Sequence, residues 1–409
     1  MGFCERDLKA NIKITMQSNV KKIVAIVAGT RPEVIKMAPL WFALRQSSVL
    51  EPLLISTGQH REMLDQAFGV FGLKPDIDLG LMQPGQTLSD LTARVLSSMT
   101  QVLRQQRPAA VLVQGDTTTV LGTALAAFYE RIPVGHVEAG LRTYDLDAPW
   151  PEEMNRRLAD PISRWCFAPT DWSAANLRSE RTPPERIHVT GNTVVDALLW
   201  VREKLQRSGL TAETVGARCN IPAGFAAEYL GSDCGSANKR WILITGHRRE
   251  SFGEGFENIC RAVSQLAERY PDLGLLYPVH LNPRVQEPVR RILGANRRVA
   301  LIPPVGYEDF IWLMDRAHFV LSDSGGVQEE APSVGKPVLV MRTTTERPEG
   351  VEAGTCRLVG TDPQTIVAEA AALLEDAGDY ARRSALKNPY GDGLAASRIT
   401  EILAKNLHA

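Results

Sequence analysis

The chain has 409 residues, 44% hydrophobic and 23% charged, an ordinary globular balance that exceeds one core at roughly 150 residues per domain. Forty-six Lys and Arg stand against 47 Asp and Glu, so a net charge of −1 argues against the broad basic face that nucleic-acid binding requires. No run approaches the ~18 consecutive apolar residues of a membrane span.

Residues 1–20 carry Glu5, Arg6, Asp7, Lys9 and Lys13. They are expected to form a loose leader and not a signal peptide. Six cysteines, at 4, 166, 219, 234, 260 and 356, show neither C-x-x-C nor Cys/His ligand spacing. They read as reduced residues of a cytoplasmic protein, forming neither a disulfide frame nor a zinc site.

From residue 21 onward, short apolar strands alternate with amphipathic helices. Strands are expected at 21–29, 53–57, 109–114, 134–137, 165–168 and 187–190. Helices are expected at 33–46, 88–105, 117–129, 152–160 and 172–179. Continuous apolar strands alternating with helices predict a parallel, doubly wound sheet. Residues 208–238 break the pattern as a helix-and-loop excursion. It restarts with strands at 240–245, 275–279, 299–302, 319–322, 338–341 and 356–359, a second open α/β sheet. A last helix at 393–405 follows the turn-rich NPYGDG and is expected to return to the first domain. The expected division is therefore 21–191 plus 389–409, and 192–388.

Both halves open with a strand ending in Gly-x-Arg-x-Glu, at 29–33 and 246–250. In open α/β sheets ligands bind at the carboxyl ends of strands, so two such sheets predict a cleft lined by these turns. Ser324-Gly325-Gly326 ends one strand and opens a helix, where bare amides and the helix dipole favour a phosphate. The bland reading is a simple turn. Glu329 and Glu330, one helical turn on, offer a carboxylate that could accept ribose hydroxyls, against a reading as favourable charge in a helix's first turn. Arg31, Lys36 and Arg347 supply candidate cations, against a reading of Lys36 as solvated surface and the arginines as local salt bridges. Asp116 follows a strand, as an N-cap or as an acid/base group. Glu138 follows another, between apolar neighbours that give it little structural excuse. Glu152 opens a helix. His247 precedes two arginines that favour its neutral form, suited to a phosphate or a proton. The carboxylates lack metal-ligand spacing, and neither a G-x-G-x-x-G nor a Walker A loop is present. The residues by themselves indicate a nucleotide-like ligand and acid/base chemistry.

With those residues in view, the chain resembles the non-hydrolysing UDP-N-acetylglucosamine 2-epimerases of bacteria. The motifs are GTRPE at 29–33, QHREMLDQ at 59–66, GDTTT at 115–119, GHVEAGLR at 135–142, PWPEE at 149–153, TGHRRESFG at 245–253 and SDSGGVQEEAP at 322–332. The resemblance implies two Rossmann-like domains of the glycosyltransferase-B type, a homodimer, and no metal or nicotinamide cofactor. It implies interconversion of UDP-GlcNAc and UDP-ManNAc by elimination and re-addition of UDP through 2-acetamidoglucal, supplying ManNAc for surface polysaccharide. Asp116, Glu138 and Glu152 would be the acid/base set, with His247 beside the diphosphate. Arg31, Lys36, Ser324, Gly325, Gly326, Glu330 and Arg347 would hold UDP, with Phe310 by the uracil. Gln59, His60 and Arg248 match part of an activating UDP-GlcNAc site. Val305 departs from the family pattern, which has Gln near the uracil. The rival expectations are a hydrolysing epimerase releasing ManNAc, a glycosyltransferase of the same fold, and a nucleotide-sugar sensor.

Overall fold

The computed structural model describes residues 21–58, 61–83, 85–231 and 239–408. The expected leader 1–20, and Gln59 and His60 of the expected activating site, lie outside the described residues. Among the described residues no helix is long and apolar enough to cross a membrane.

The first sheet has seven parallel strands: β1 (Lys22–Ala28), β2 (Leu50–Ser56), β3 (Ile77–Asp78), β4 (Ala110–Gln114), β5 (Val134–Val137), β6 (Trp165–Ala168) and β7 (Ile187–Val189). Their spatial order is β3-β2-β1-β4-β5-β6-β7. Between them run α1 (Arg31–Gln46), α2 (Arg61–Phe71), α3 (Leu88–Gln106), α4 (Thr118–Tyr129), α5 (Glu152–Ile162) and α6 (Asp171–Ser179), and α7 (Thr193–Arg207) follows. The strands form because their apolar runs are buried on both faces: Val24–Ala28 and all five residues of β4 are buried.

After α8 (Ala212–Arg218) and the short α9 (Ala223–Phe225), the second sheet begins. It comprises β8 (Trp241–Thr245), β9 (Gly274–Pro278), β10 (Val299–Ile302), β11 (Val320–Ser322), β12 (Val338–Val340) and β13 (Cys356–Leu358). Its order, β10-β9-β8-β11-β12-β13, repeats that of the first sheet without the seventh strand. Its helices are α10 (Glu254–Arg269), α11 (Pro283–Leu293), α12 (Tyr307–Arg316), α13 (Gly325–Glu330), α14 (Pro348–Glu352), α15 (Pro363–Glu375) and α16 (Ala377–Ser384). The chain ends in α17 (Ala395–His408), whose Ala396, Ile399 and Leu403 enter the core beside Val24, Ile26 and Leu40. The last helix thus packs on the first sheet, and its approach is tied where Tyr390 O accepts the N–H of Asn192 at 2.7 Å.

Each sheet reverses its winding between its first and fourth strands, β1/β4 and β8/β11. Such switch points open crevices at the carboxyl ends of the strands. A shared apolar cluster joins the two lobes behind them: Ile35, Ala38 and Phe71 pack with Leu198 and Val201 of α7 and with Trp312 and Leu313 of α12.

One expected boundary needs correction, and two features were not legible in the sequence. β2 starts at Leu50, three residues before the expected strand, because Val49 O accepts the N–H of Lys22 and the pairing with β1 begins there. The two Gly-x-Arg-x-Glu turns are not structural copies. The first enters α1 at Arg31, whereas the second passes through a 3-10 turn at Arg249–Ser251 and Gly253 (φ +89°) before α10 begins. Helix α7 was not anticipated, although Asn192 caps it by accepting the N–H of Val194.

Candidate active site

At the β1/β4 switch point Glu33 turns its carboxylate inward, accepting the N–H groups of Gly29 at 2.5 Å and Thr30 at 2.8 Å and the hydroxyl of Thr117. Burial pushes its pKa up to about 7, against those hydrogen bonds. With its carboxylate so engaged, Glu33 makes no ion pair with Arg31 among the described residues, against the bland reading of that arginine as a local salt bridge. Thr117 caps α4, its hydroxyl facing the N–H of Val120 at 3.4 Å. Asp116, the expected capping candidate, is thereby released from that duty. Its Oδ2 accepts from Arg156 Nη1 at 2.9 Å, and its backbone oxygen accepts from Asn155 Nδ2 at 2.8 Å. The loop is braced from below by His136, wholly buried, which bridges Gly115 O at 2.7 Å and Asp160 Oδ1 at 2.6 Å.

Glu138 follows β5 with φ +67°, a left-handed conformation that costs a non-glycine residue about 1 kcal/mol or more. The side chain is over-determined to match. Oε1 accepts from Lys36 Nζ at 2.6 Å and Asn192 Nδ2 at 3.2 Å, and Oε2 accepts from Gln114 Nε2. Lys36 is not solvated surface: its side chain is 11% exposed. It reaches across the cleft to Glu329 Oε2 at 3.3 Å, and Glu329 Oε1 accepts from Arg347 Nε at 2.7 Å. Burial opposes the charge on Lys36, but Glu138 and Glu329 outweigh it and hold its pKa above the ordinary lysine value. Glu138, Lys36, Glu329 and Arg347 form one alternating chain of charges that joins the lobes.

From the second sheet, Ser324 sits at the start of α13, which continues through a 3-10 turn at Ala331–Val334. A Cβ at Gly325 would fall 2.6 Å from the Arg347 guanidinium, so glycine is what lets that cation lie against the loop. Glu330 accepts the hydroxyl of Tyr307 at 2.7 Å, and burial pushes its pKa up to about 7. His247 stacks on His280 with ring centroids 5.2 Å apart.

These groups line two adjoining cavities. One, of about 310 Å³, is bordered by Lys36, Asp116, Glu138, Arg156, Ser324 and Arg347. The other, of about 570 Å³, shares Lys36, Ser324, Gly326 and Arg347 and adds Arg31, His247, Phe310 and Glu330. Its lining also includes the apolar Pro304, Val305 and Phe310. Asp116 and Glu138 thus converge with Ser324-Gly325-Gly326 on one crevice. Arg248 also lines the cavity of the carboxylates, pairing with Glu346 at 3.2 Å. Glu152 borders neither cavity. It is half-buried at the first turn of α5, one turn before Arg156. Sequence reasoning missed Glu33, Gln114, Arg156, Asn192, Tyr307 and the bridging role of Glu329. Only Arg156 left a signal, lying four residues from Glu152 and so on the same helix face.

The model of the UDP-N-acetylglucosamine 2-epimerase family matches residues 42–404. An Escherichia coli K12 protein named UDP-N-acetylglucosamine 2-epimerase is 54% identical over 383 residues, 94% of this chain and 98% of the relative. Among solved structures, the UDP-GlcNAc 2-epimerase of Neisseria meningitidis bound to UDP-GlcNAc superposes with a TM-score of 0.83 at 47% identity, covering 94% of this chain and 100% of that one. The Staphylococcus aureus MnaA co-structure with UDP gives 0.81 at 42%, covering 95% and 97%. With two Rossmann-like lobes of the glycosyltransferase-B type facing across a cleft, the chain belongs to the UDP-N-acetylglucosamine 2-epimerase family.

Proposed function

We propose that this enzyme interconverts UDP-GlcNAc and UDP-ManNAc without net hydrolysis, by eliminating UDP across C1–C2 and adding it back to 2-acetamidoglucal. The observation that carries the reading is the meeting of first-lobe carboxylates and second-lobe anion-binding groups on one crevice. The Neisseria relative, bound to UDP-GlcNAc, supports that choice of ligand.

In this reading uracil lies against Phe310, Glu330 takes the ribose hydroxyls, and Arg31, Lys36, Arg347 and the amides of Ser324, Gly325 and Gly326 take the diphosphate, with His247 beside it. The C2 proton is weakly acidic, having no adjacent carbonyl. Its removal calls for a carboxylate in a site that excludes water, together with neutralisation of the departing UDP. In this reading Asp116 and Glu138, which line the cleft, exchange the proton, and Glu152, outside both cavity linings, completes the set. Lys36 couples the two tasks: an arriving diphosphate competes with Glu138 for its ammonium, so one cation serves both the base and the leaving group. The proton returns to the other face of C2 as UDP re-adds to C1, so nothing is consumed and no acceptor is needed. The catalytic lobe comprises 21–191 plus 389–409 and the UDP lobe 192–388. The enzyme works as a cytoplasmic homodimer supplying ManNAc units for surface polysaccharide, and Arg248, with Gln59 and His60, belongs to an activating UDP-GlcNAc site.

The test is product analysis from UDP-GlcNAc alone in deuterated buffer. UDP-ManNAc carrying deuterium at C2 is expected. Free ManNAc as main product, protium retained at C2, or dependence on an acceptor would each overturn the reading. Asp116→Asn, Glu138→Gln and Glu152→Gln should each cut turnover by about 10²–10⁴ while UDP affinity stays within a few-fold.

A further inference from the structure

Asp323 follows β11 immediately before Ser324, and it is completely buried. One of its oxygens, Oδ2, accepts the N–H groups of His247 at 2.6 Å and Arg248 at 2.7 Å. That anchors the loop after β8 and is a structural duty. It leaves the other oxygen unexplained. Oδ1 has no hydrogen-bond partner among the described residues and lies 3.6 Å from His247 Nδ1. A buried carboxylate oxygen without a donor is costly and rare. A small rotation of the imidazole would bring Nδ1 within hydrogen-bond reach. Nε2 is then the nitrogen left for the cavity that His247 lines with Arg31, Lys36 and Arg347.

We infer that Asp323 is a positioning residue for His247: it takes the Nδ1–H, directs Nε2 toward the diphosphate, and supplies the counter-charge that lets the ring accept a proton from solvent as the diphosphate binds. The inference rests on reading this cleft as a UDP site. The charges around the ring favour it. Arg248 and Asp323 adjoin it, His280 stacks on it, and Arg31, Lys36, Arg347, Glu329 and Glu330 share its cavity. His247 keeps 43% side-chain exposure, yet partial desolvation, with His280 and Arg248, holds its pKa below the usual histidine range, while Asp323 pulls the other way. A diphosphate set among these cations would reverse the local sign and raise it.

The experiment is calorimetric titration of the full chain with UDP at about pH 7.5, in buffers of different ionisation enthalpy, which counts the protons taken up. The wild type should take up a proton fraction that His247→Asn abolishes. Asp323→Asn keeps an oxygen for the two backbone amides but turns an N–H donor to Nδ1. It should still bind UDP, with uptake reduced at least about threefold and the pH above which affinity falls moved down by about one unit. Uptake and pH profile identical to wild type in Asp323→Asn would overturn the inference while leaving the UDP site standing. Failure of the wild type to bind UDP would sink the reading of the cleft and this inference with it. If Asp323→Asn does not fold, 15N spectra of the histidine-labelled wild type with UDP decide. Both ring nitrogens of His247 protonated supports the proposal, and an unprotonated Nδ1 defeats it.

Discussion

Glu330 shows at the residue scale how burial of a carboxyl beside the cleft taxes the fold. Burial pushes its carboxyl up to about 7 in the folded chain, against an ordinary value of 4.5, although the hydroxyl of Tyr307 donates to it. A raised carboxylate favours the folded state while it holds its proton. Its contribution is complete below the unfolded value and is lost as pH climbs through the folded one. Across that window the loss approaches about 3 kcal/mol. Glu33, also near 7, and Asp196, pushed up to about 6, tilt stability the same way. The wild-type denaturation midpoint should therefore fall between about pH 5 and about pH 8, and Glu330→Gln should fall distinctly less. Parallel curves for the two proteins would show that Glu330 does not carry a proton in the native state.

The elements were readable where one segment carries its own signal. β1 and β4 announce themselves as unbroken apolar runs, and the strand ends then locate Asp116, Glu138, His247 and Ser324 without further help. β3, two residues long, has no period to detect. Glu33 and Glu329 escaped because their meaning lies in distant partners, Thr117 at 84 positions and Lys36 at 293. Glu152 was placed with the acids by motif alone, and it borders neither cavity. Packing between elements was equally hidden, and Gly122 on α4 is the clearest case. Helix propensity would favour alanine there by about 1 kcal/mol. A Cβ at 122, however, would lie 2.7 Å from Val95 Cγ1 of the neighbouring α3. Val95 is fully buried and, being β-branched, has no free rotamer to yield into. Gly122→Ala should thus lose about 1–3 kcal/mol in urea denaturation, and adding Val95→Ala should cost less than the sum of the single changes. A stabilised Gly122→Ala would mean that α3 and α4 slide apart at no cost.

For the whole molecule the charge chain Glu138–Lys36–Glu329–Arg347 does what neither lobe can do alone, holding opposite walls of the cleft in register. Glu329 is its centre, and its carboxyl is held below the usual range by Arg347 and Lys36 against the cost of its burial. Removing one charge from a buried network leaves the rest uncompensated, which typically costs about 3–5 kcal/mol. Glu329→Gln should lower the denaturation midpoint accordingly, since it leaves Lys36 and Arg347 facing each other without their shared anion. The discriminating measurement is the same melt with UDP. If the diphosphate sits between these cations, it replaces the missing negative charge, so saturating UDP should raise the midpoint of Glu329→Gln by more than it raises the wild type's. A deficit of equal size with and without UDP would show that the charge chain only ties the lobes together, and would move the diphosphate away from Lys36 and Arg347.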